Sequence, residues 1–244
     1  SSLHMVSAWG CEQRLVLGQR ATDAKSNEIT AVPKLLDLLL LNGTVVTVDA
    51  LNCQRDIARR IIDKGGDCVF ALKANQQTLS DDVRRFLDDP ATTAVAHHAT
   101  VDGDHGRIET RTALVSTDIA WLQDIHHWPG LEAIGKVIRT REANGKTTTE
   151  TAFYLASCPF SAERFGAVTR AHRGIENSLH WVLDVAMNED GARNRKDNGP
   201  ENLAILRHIA LNVIRKEKSK GSTRLKFKRA AWNDDFLATL LAQI

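Results

Sequence analysis

The chain carries Thr44-Val45-Val46-Thr47-Val48-Asp49, a short β-branched run that ends on an acid. Such an apolar run indicates a strand that is buried in a parallel sheet. A helical pattern over residues 53–64 follows it, and then a second apolar run at residues 68–72. Strands that alternate with helices predict parallel pairing through right-handed crossovers. We therefore expect Asp49 at the C-terminal end of a parallel strand, where α/β sheets place their sites.

The segment before residue 90 predicts further elements around these two strands. Residues 3–10 and 14–20 indicate a β-hairpin, and a helix from about Ser26 leads into the first apolar run. A helix with Ser80 as its N-cap follows the second run. The first third of the chain is therefore expected to contain a hairpin and then helices and strands in alternation.

The pattern changes after this segment. Residues 90–106 predict a polar loop, and residues 107–157 predict an antiparallel β insert with a hairpin turn at Asn144-Gly145. From Ser161 the chain is helical. We expect four segments: residues 1–89 as the first half of the core, 90–160 as the β-rich insert, 161–215 as the second half of the core with a Glu-bearing helix, and 216–244 as a basic tail with the last helix.

The composition excludes several classes of protein. Of the 244 residues, 43% are hydrophobic and 25% are charged, which is typical of a globular domain and not of a disordered or collagenous chain. No apolar run reaches the roughly 18 residues of a membrane span. The four cysteines include no C-x-x-C pair, which favours free thiols in a reducing cytoplasm over a zinc site.

Asp49 is the first candidate for chemistry. A carboxylate at the end of a buried strand costs free energy unless it is solvated, paired or bound to a cation. The same position also suits a turn-forming acid that caps the following helix. Lys73, directly after the second apolar run, adds a cation at the same edge of the predicted sheet.

Glu176 is the second candidate. On a continuous helix, a polar stripe with a spacing of four residues would contain His172, Glu176, His180 and Asp184. A solvated helix face is the usual meaning of such a stripe. The neighbouring Trp181 favours a half-buried helix, which gives the two histidines and two acids more weight as a site.

Two basic regions could contact phosphates. Arg107 and Arg111 open the β insert on alternate positions, where they could bind phosphate or form cross-strand ion pairs on an exposed face. Residues 215–229 contain eight Lys or Arg residues against the single acid Glu217. Such a segment could follow a nucleic-acid backbone or form a solvated, partly disordered tail.

Several short motifs, in one order along nearly the whole chain, resemble a known family. They are residues 3–9 (LHMVSAW), 16–19 (VLGQ), 25–29 (KSNEI), 47–50 (TVDA), 71–76 (ALKANQ), 105–111 (HGRIETR) and 172–177 (HRGIEN). With them the chain resembles insertion-sequence transposases of the DDE type, in the branch that includes the H-repeat-associated proteins. The resemblance implies an α/β, RNase H-like mixed sheet flanked by helices, with an antiparallel β insert between the second and third acids and a helical C-terminal portion.

The same resemblance implies an enzyme that cuts and rejoins DNA with three carboxylates and two Mg²⁺ or Mn²⁺ ions. Hard cations prefer oxygen ligands, and two of them about 4 Å apart stabilise both the attacking and the leaving oxygen of a phosphoryl transfer. By resemblance, Asp49 is the second acid and Glu176 is the third. The residues expected to contact DNA are Lys73, Arg107, Arg111, Arg170, Arg173, His180, Lys216 and Lys218.

The resemblance also implies partners and a location. The expected substrate is double-stranded DNA, both at the element ends and at the target. The family pairs two DNA ends, which implies a homodimer or a larger assembly. We expect the protein in the bacterial cytoplasm, associated with the nucleoid and not with a membrane.

The chain departs from the family pattern in three places. The first acid is absent, and Asp23, in the loop after the predicted hairpin, is a poor substitute. Arg173 stands where the family usually has Trp, and Thr169 and Leu183 replace the Tyr and Lys that flank the Glu in related branches. We therefore interpret the chain as the C-terminal portion of a longer transposase.

The sequence leaves two other functions open. The first is a catalytically inactive transposase remnant that acts as a DNA-binding or multimerisation module, which the basic segment favours. The second is a stand-alone RNase H-like nuclease such as a resolvase, against which the long β insert argues.

Overall fold

A computed structural model describes residues 5–22, 28–104 and 106–243. The chain divides into two compact units. We call Leu40–His172 the sheet unit, and Ser1–Leu39 together with Arg173–Ile244 the hairpin unit. The predicted helix start near Ser26, the loop acid Asp23 and parts of the matched motifs lie outside the described residues.

The described residues form strands and helices in the following order. The strands are β1 (Met5–Gly10), β2 (Leu15–Ala21), β3 (Val45–Val48), β4 (Asp67–Leu72), β5 (Ala96–Asp104), β6 (Arg107–Ser116), β7 (Ala133–Ala143) and β8 (Lys146–Ala156). The helices are α1 (Glu28–Asp37), α2 (Arg55–Asp63), α3 (Gln77–Asp88), α4 (Ala120–His126), α5 (Ala162–His172), α6 (Trp181–Met187), α7 (Gly199–Lys216), α8 (Thr223–Trp232) and α9 (Asp234–Leu241). Among these described helices, none combines the length and the apolar character that a bilayer crossing requires.

The sheet unit is built on a six-stranded mixed sheet with the strand order β3-β4-β8-β7-β6-β5. The β3 and β4 strands pair in parallel, and β4 to β8 and all later pairs are antiparallel. The predicted fold class, a mixed α/β sheet with helices and an antiparallel insert, is confirmed. The Asn144-Gly145 turn also forms as predicted: Ala143 pairs with Lys146, and the φ angles of 51° and 70° at the two turn residues are those that a tight hairpin requires.

Helix α5 packs on this sheet through an apolar cluster. The Phe165 ring is 1% exposed and meets the Tyr154 ring edge-on, with centroids 5.5 Å apart. Val69 on β4 and Ala113 on β6 belong to the same cluster. The ring lies over Gly135 on β7, where an added Cβ would come within 2.3 Å of the ring atom Cζ. The absence of a side chain at this glycine therefore permits the close approach of α5.

The hairpin unit has its own core. The cluster joins Val16 of β2 to Leu179, Leu183 and Leu211 of the C-terminal helices. Asn212 on α7 receives a hydrogen bond from the Val16 backbone N–H and donates one to its carbonyl oxygen, both at 2.8 Å. A buried backbone group without a hydrogen-bond partner costs free energy. The Asn212 amide therefore stabilises the hairpin by pairing both backbone groups of Val16.

The basic segment at residues 215–229 includes the end of α7 and most of α8. Ser222 caps α8 by accepting from the Leu225 N–H, and Asn233 caps α9 by accepting from the Phe236 N–H. Lys226 is buried and pairs with Glu217 at 2.9 Å. The last two helices pack on α7 around the side chains Val213, Ile214, Phe236 and Leu240.

Two local predictions are wrong. The predicted loop at residues 90–106 contains β5, an edge strand whose hydrogen bonds with β6 form although its side-chain pattern is polar. Ser80 is not an N-cap: α3 begins at Gln77, directly after a 3-10 turn at Ala74–Gln76, and Ser80 is buried within the helix. The cysteines are free as expected, and burial raises the pKa of Cys53 and of Cys68 to about 12.

His208 on α7 makes the stability of the hairpin unit dependent on pH. Its side chain is 5% exposed and contacts Gln19 on β2. Burial, together with the charge of the nearby His180, lowers the pKa of His208 from 6.5 to about 4. Between these two pKa values the unfolded chain binds more protons than the folded chain. The stability that neutral His208 contributes to the fold is therefore complete above pH 6.5 and is lost as the pH falls toward about 4.

We expect His208→Gln to reduce this pH dependence, because glutamine keeps a polar contact with Gln19 but does not titrate. From about pH 7 to about pH 4.5, the unfolding free energy of the unmodified protein should fall by about 2 kcal/mol more than that of the variant. Urea denaturation followed by circular dichroism at both pH values measures this difference. Equal losses in the two proteins would contradict the assignment.

Candidate active site

Asp49 lies where the sequence predicted it, directly after β3 at the C-terminal end of the parallel pair. Its side chain is 72% exposed. The residue precedes a 3-10 turn at Ala50–Asn52, and its carboxylate makes no capping hydrogen bond to that turn. The Asp49 side chain therefore does not cap this turn, which was the alternative interpretation of the residue.

His172, the last residue of α5, holds the Asp49 carboxylate. Its Nε2 lies 3.0 Å from Asp49 Oδ1, and its Nδ1 lies 2.9 Å from Thr47 Oγ1. Thr47 and Asp49 are two residues apart and so face the same side of the extended backbone. When Nε2–H donates to the carboxylate, Nδ1 of the neutral ring accepts from the threonine hydroxyl. The imidazole is thus oriented at both nitrogens.

The loops after the two parallel strands are connected to each other. Asn75 Nδ2 donates to the Ala50 carbonyl at 2.7 Å, and Gln76 Nε2 donates to the Cys53 carbonyl at 3.1 Å. Lys73, which follows β4, is exposed beside them. The parallel pairing confirms that Lys73 and Asp49 lie at the same edge of the sheet. The loop after β4 therefore contacts the turn that follows Asp49, and His172 of α5 contacts the Asp49 carboxylate itself.

Glu176 begins a π-helical segment, Glu176–His180, that joins directly to α6. Its carbonyl oxygen accepts from the Trp181 N–H, five residues on. Single π-turns in helices are frequent at functional sites. The Glu176 side chain is 68% exposed, and its Oε2 lies 3.1 Å from His180 Nδ1. Each candidate acid is thus paired with one histidine.

The predicted polar stripe is interrupted. The helix does not continue from α5, because Arg173 forms a turn before the π segment begins. Beyond the interruption the stripe continues toward Asp184, whose pKa is raised by burial and by the neighbouring Asp190, with an opposing effect of His180. Burial likewise raises the pKa of Glu189, although Arg207 opposes it. Asp184, Glu189 and Asp190 therefore influence one another's charge after the π segment.

Several residues predicted to contact DNA have protein partners. In the sheet unit, Arg111 pairs with Glu109 at 2.5 Å, and Arg170 pairs with Asp102 at 2.5 Å. Burial alone would raise the pKa of Glu109, but its hydrogen bonds with Arg111 and Arg141 outweigh this and lower it. The cross-strand ion pair that the sequence suggested is present between Arg141 on β7 and Glu109, at 3.2 Å, but Glu109 is buried and Arg111 lies on the same strand as Glu109. The predicted DNA contacts of Lys73, Arg107, Arg111, Arg170, Arg173, His180, Lys216 and Lys218 stay predictions.

Asp49 and Glu176 belong to different units, since Leu40–His172 contains the first and Arg173–Ile244 contains the second. Their convergence on a shared metal site therefore stays a prediction. Within the described ranges, no group of three or more His, Cys, Asp or Glu side chains is placed to hold a metal ion. The donor chemistry of both acids nevertheless fits a hard cation, because each presents carboxylate oxygens on an exposed side chain.

The contact that sequence analysis missed is the one between His172 and Asp49. The spacing of four residues assigned His172 to the stripe of Glu176, whereas its ring contacts the end of β3. The two partners are 123 residues apart in the chain, and no local pattern indicates such a pair.

Comparisons with known proteins agree with the resemblance. The family described as "Transposase DDE domain" matches residues 1–213. The H repeat-associated putative transposase YhhI of Escherichia coli K12 is 36% identical over 252 residues, which cover 99% of this chain and 66% of that protein. The putative transposase YncI of Escherichia coli O157:H7 is 38% identical over 251 residues, with 99% and 64% covered. The chain thus spans slightly less than two thirds of these relatives, and no solved structure matches it.

Proposed function

Because the chain belongs to the family of transposases with a DDE domain, we propose that it takes part in DNA strand cleavage and strand transfer at the ends of an insertion element. The observation that carries this proposal is the placement of Asp49. Its carboxylate is exposed at the C-terminal end of a parallel strand, caps no helix and is oriented by His172. Sites of α/β sheets lie at this edge.

Asp49 and Glu176 would hold divalent cations, Mg²⁺ or Mn²⁺, through their carboxylate oxygens. When bound, such ions activate a water molecule and stabilise the charged oxygens of phosphoryl transfer. The protein itself orients the ligands: His172 and His180 each contact one oxygen of their carboxylate. Groups that hold metal ligands in position contribute to metal affinity.

Lys73 would guide the substrate to the Asp49 edge. Its exposed ammonium follows β4, the strand next to β3, and can attract a phosphate oxygen as a point charge. The partner in this proposal is double-stranded DNA, at the element ends and at the target. A homodimer or larger assembly would bring two ends together, in the bacterial cytoplasm at the nucleoid.

The test is a nicking assay on supercoiled plasmid DNA that carries the ends of the element. We would use the chain and a chimera in which the part of the YhhI relative that this chain does not cover is joined to it. The chimera is expected to nick in Mg²⁺ or Mn²⁺ and to stop when EDTA removes the metal. Nicking by the chain alone that Asp49→Asn abolishes would contradict the need for a third acid.

A second function, DNA binding or multimerisation without cleavage, is favoured by the basic segment at residues 215–229. In the structure this segment is folded into α7 and α8, so its side chains have defined positions. The same assay separates the two functions. Salt-dependent DNA binding by a chimera that never nicks would support the second function and exclude the first.

A further inference from the structure

The hairpin unit contains an open cavity of about 380 Å³ that the candidate acids do not occupy. It lies between the β1–β2 turn, the π segment, the end of α7 and the start of α8. This volume is within the range of pockets that hold small ligands. The lining side chains are Gln13, Arg14, Asn177, Ser178, Val182, Ile214, Arg215, Thr223 and Lys226, with Gly221.

The lining is positively charged and polar. Three of its residues are cations, four carry an amide or a hydroxyl group, and none of these described lining residues is Asp or Glu. Lys226 has its own partner in Glu217, at 2.9 Å. The charges of Arg14 and Arg215 are therefore the ones that a bound anion could neutralise.

The structure brings these two arginines together at a cost. Arg215 stacks on the Trp9 ring at 4.5 Å and donates to the backbone carbonyls of Arg14 and Ser178, which are not charged partners. Burial, and then the neighbouring charge of Arg14, lower the pKa of Arg215 to about 10. The charge of the half-buried Arg215 is repelled by that of the exposed Arg14, and a bound anion would offset this repulsion.

The position of Arg14 is set by its backbone. The residue lies in the β1–β2 turn with a φ angle of 57°. Its N–H donates to the Gly10 carbonyl at 2.7 Å, and its carbonyl accepts from Arg215 at 3.1 Å. Across the described ranges 5–22, 28–104 and 106–243, no acid forms an ion pair with the Arg14 guanidinium. Arg14 is exposed and lines the cavity, so its guanidinium is available to a ligand.

We propose that this cavity binds a backbone phosphate of a DNA strand, through Arg14 and Arg215 with Asn177 and Thr223 as neutral donors. Arginine is the side chain whose fork of N–H groups matches phosphate oxygens. Asn177 and Ser178 follow Glu176 in the π segment, so a phosphate held here would bring the strand beside that acid. The inference rests on the proposed function, because it takes DNA as the ligand.

The test compares two variants that remove the same charge from the same hairpin. Arg14→Asn deletes the cavity guanidinium, and asparagine tolerates the positive φ angle at this position. Arg20→Asn is the matched control, because Arg20 is exposed on β2 and does not line the cavity. Binding of a fluorescein-labelled duplex of about 20 base pairs is measured by fluorescence anisotropy at about 50 mM and about 200 mM salt.

We expect Arg14→Asn to weaken DNA binding about tenfold at the lower salt and about threefold at the higher salt. Each phosphate contact adds about 0.9 to the slope of log affinity against log salt concentration, so the loss of one contact matters less as the salt rises. Arg20→Asn should change the affinity less than about twofold. Asn177→Asp, which keeps the side-chain size and adds a negative charge to the lining, should weaken binding at least as much as Arg14→Asn.

Three results would overturn the inference. Equal effects of Arg14→Asn and Arg20→Asn, with DNA still bound, would show that the cavity does not contact the strand and would leave the proposed function intact. Absence of DNA binding by the unmodified chain at low salt would overturn the proposed function as well. Saturable, Arg14-dependent binding of inorganic phosphate, with unchanged DNA affinity in Arg14→Asn, would assign the cavity to a free phosphate ligand.

Discussion

Asp49→Asn and Glu176→Gln are each expected to lower the rate of metal-dependent nicking by the chimera about 1,000-fold. Both changes keep the size of the side chain and remove one negatively charged metal ligand. A bound divalent ion contributes several kcal/mol to transition-state stabilisation, and about 4 kcal/mol corresponds to three orders of magnitude in rate. Because both side chains are exposed, neither change is expected to affect folding.

Each variant has a matched control in its own unit. Asp56→Asn removes an exposed acid of α2 that pairs with the exposed Arg59, and Asp235→Asn removes an exposed acid of α9. A chimera with either control substitution should nick DNA at a rate within about twofold of the unmodified chimera, since exposed ion pairs contribute little to stability. A metal-dependent rate that survives Asp49→Asn or Glu176→Gln would remove that residue from the proposed site.

Gly135→Ala is expected to destabilise the sheet unit by about 3 kcal/mol. The added methyl group would lie 2.3 Å from Cζ of Phe165 and 2.6 Å from its Cε1. The ring cannot move aside freely, because it is buried and packs edge-on against Tyr154. Overpacking of a dense core costs about 1 to 3 kcal/mol, and a contact this short favours the upper end.

The control is the same substitution at Gly103 on β5 of the same sheet, where an added Cβ meets nothing within 4 Å. Gly103→Ala should leave the unfolding free energy unchanged or raise it by a few tenths of a kcal/mol, because alanine costs less backbone entropy. Urea denaturation measures both variants. In the Phe165→Leu background the penalty at Gly135 should shrink, and an unchanged penalty would show that the ring is not its cause.

The sequence was most informative where short-range interactions decide the structure. The β-branched run up to Val48 is a strand, and the Asn144-Gly145 dipeptide forms the hairpin turn that its backbone preferences favour. The position of Asp49 at a strand end followed from the alternation of strands and helices. These features depend on side-chain branching, on φ preferences and on the period of apolar residues, all of which are local.

The sequence was less informative where contact with a neighbouring element decides the outcome. Strand β5 forms on polar residues because β6 supplies its hydrogen bonds, and helix α3 begins before Ser80 because a 3-10 turn precedes it. The last two helices, α8 and α9, form where α7 offers them an apolar surface. In each case the contact with a neighbouring element outweighs the local preference.

The sequence by itself determined the family, the mixed α/β class and the placement of Asp49 at the end of a parallel strand, since motifs and periodicity are properties of consecutive residues. Only the tertiary structure decided that His172 orients Asp49, and that Arg14 and Arg215 line the same cavity. These contacts join residues more than 100 positions apart. Their geometry depends on how whole elements pack, and packing leaves no spacing rule in the chain.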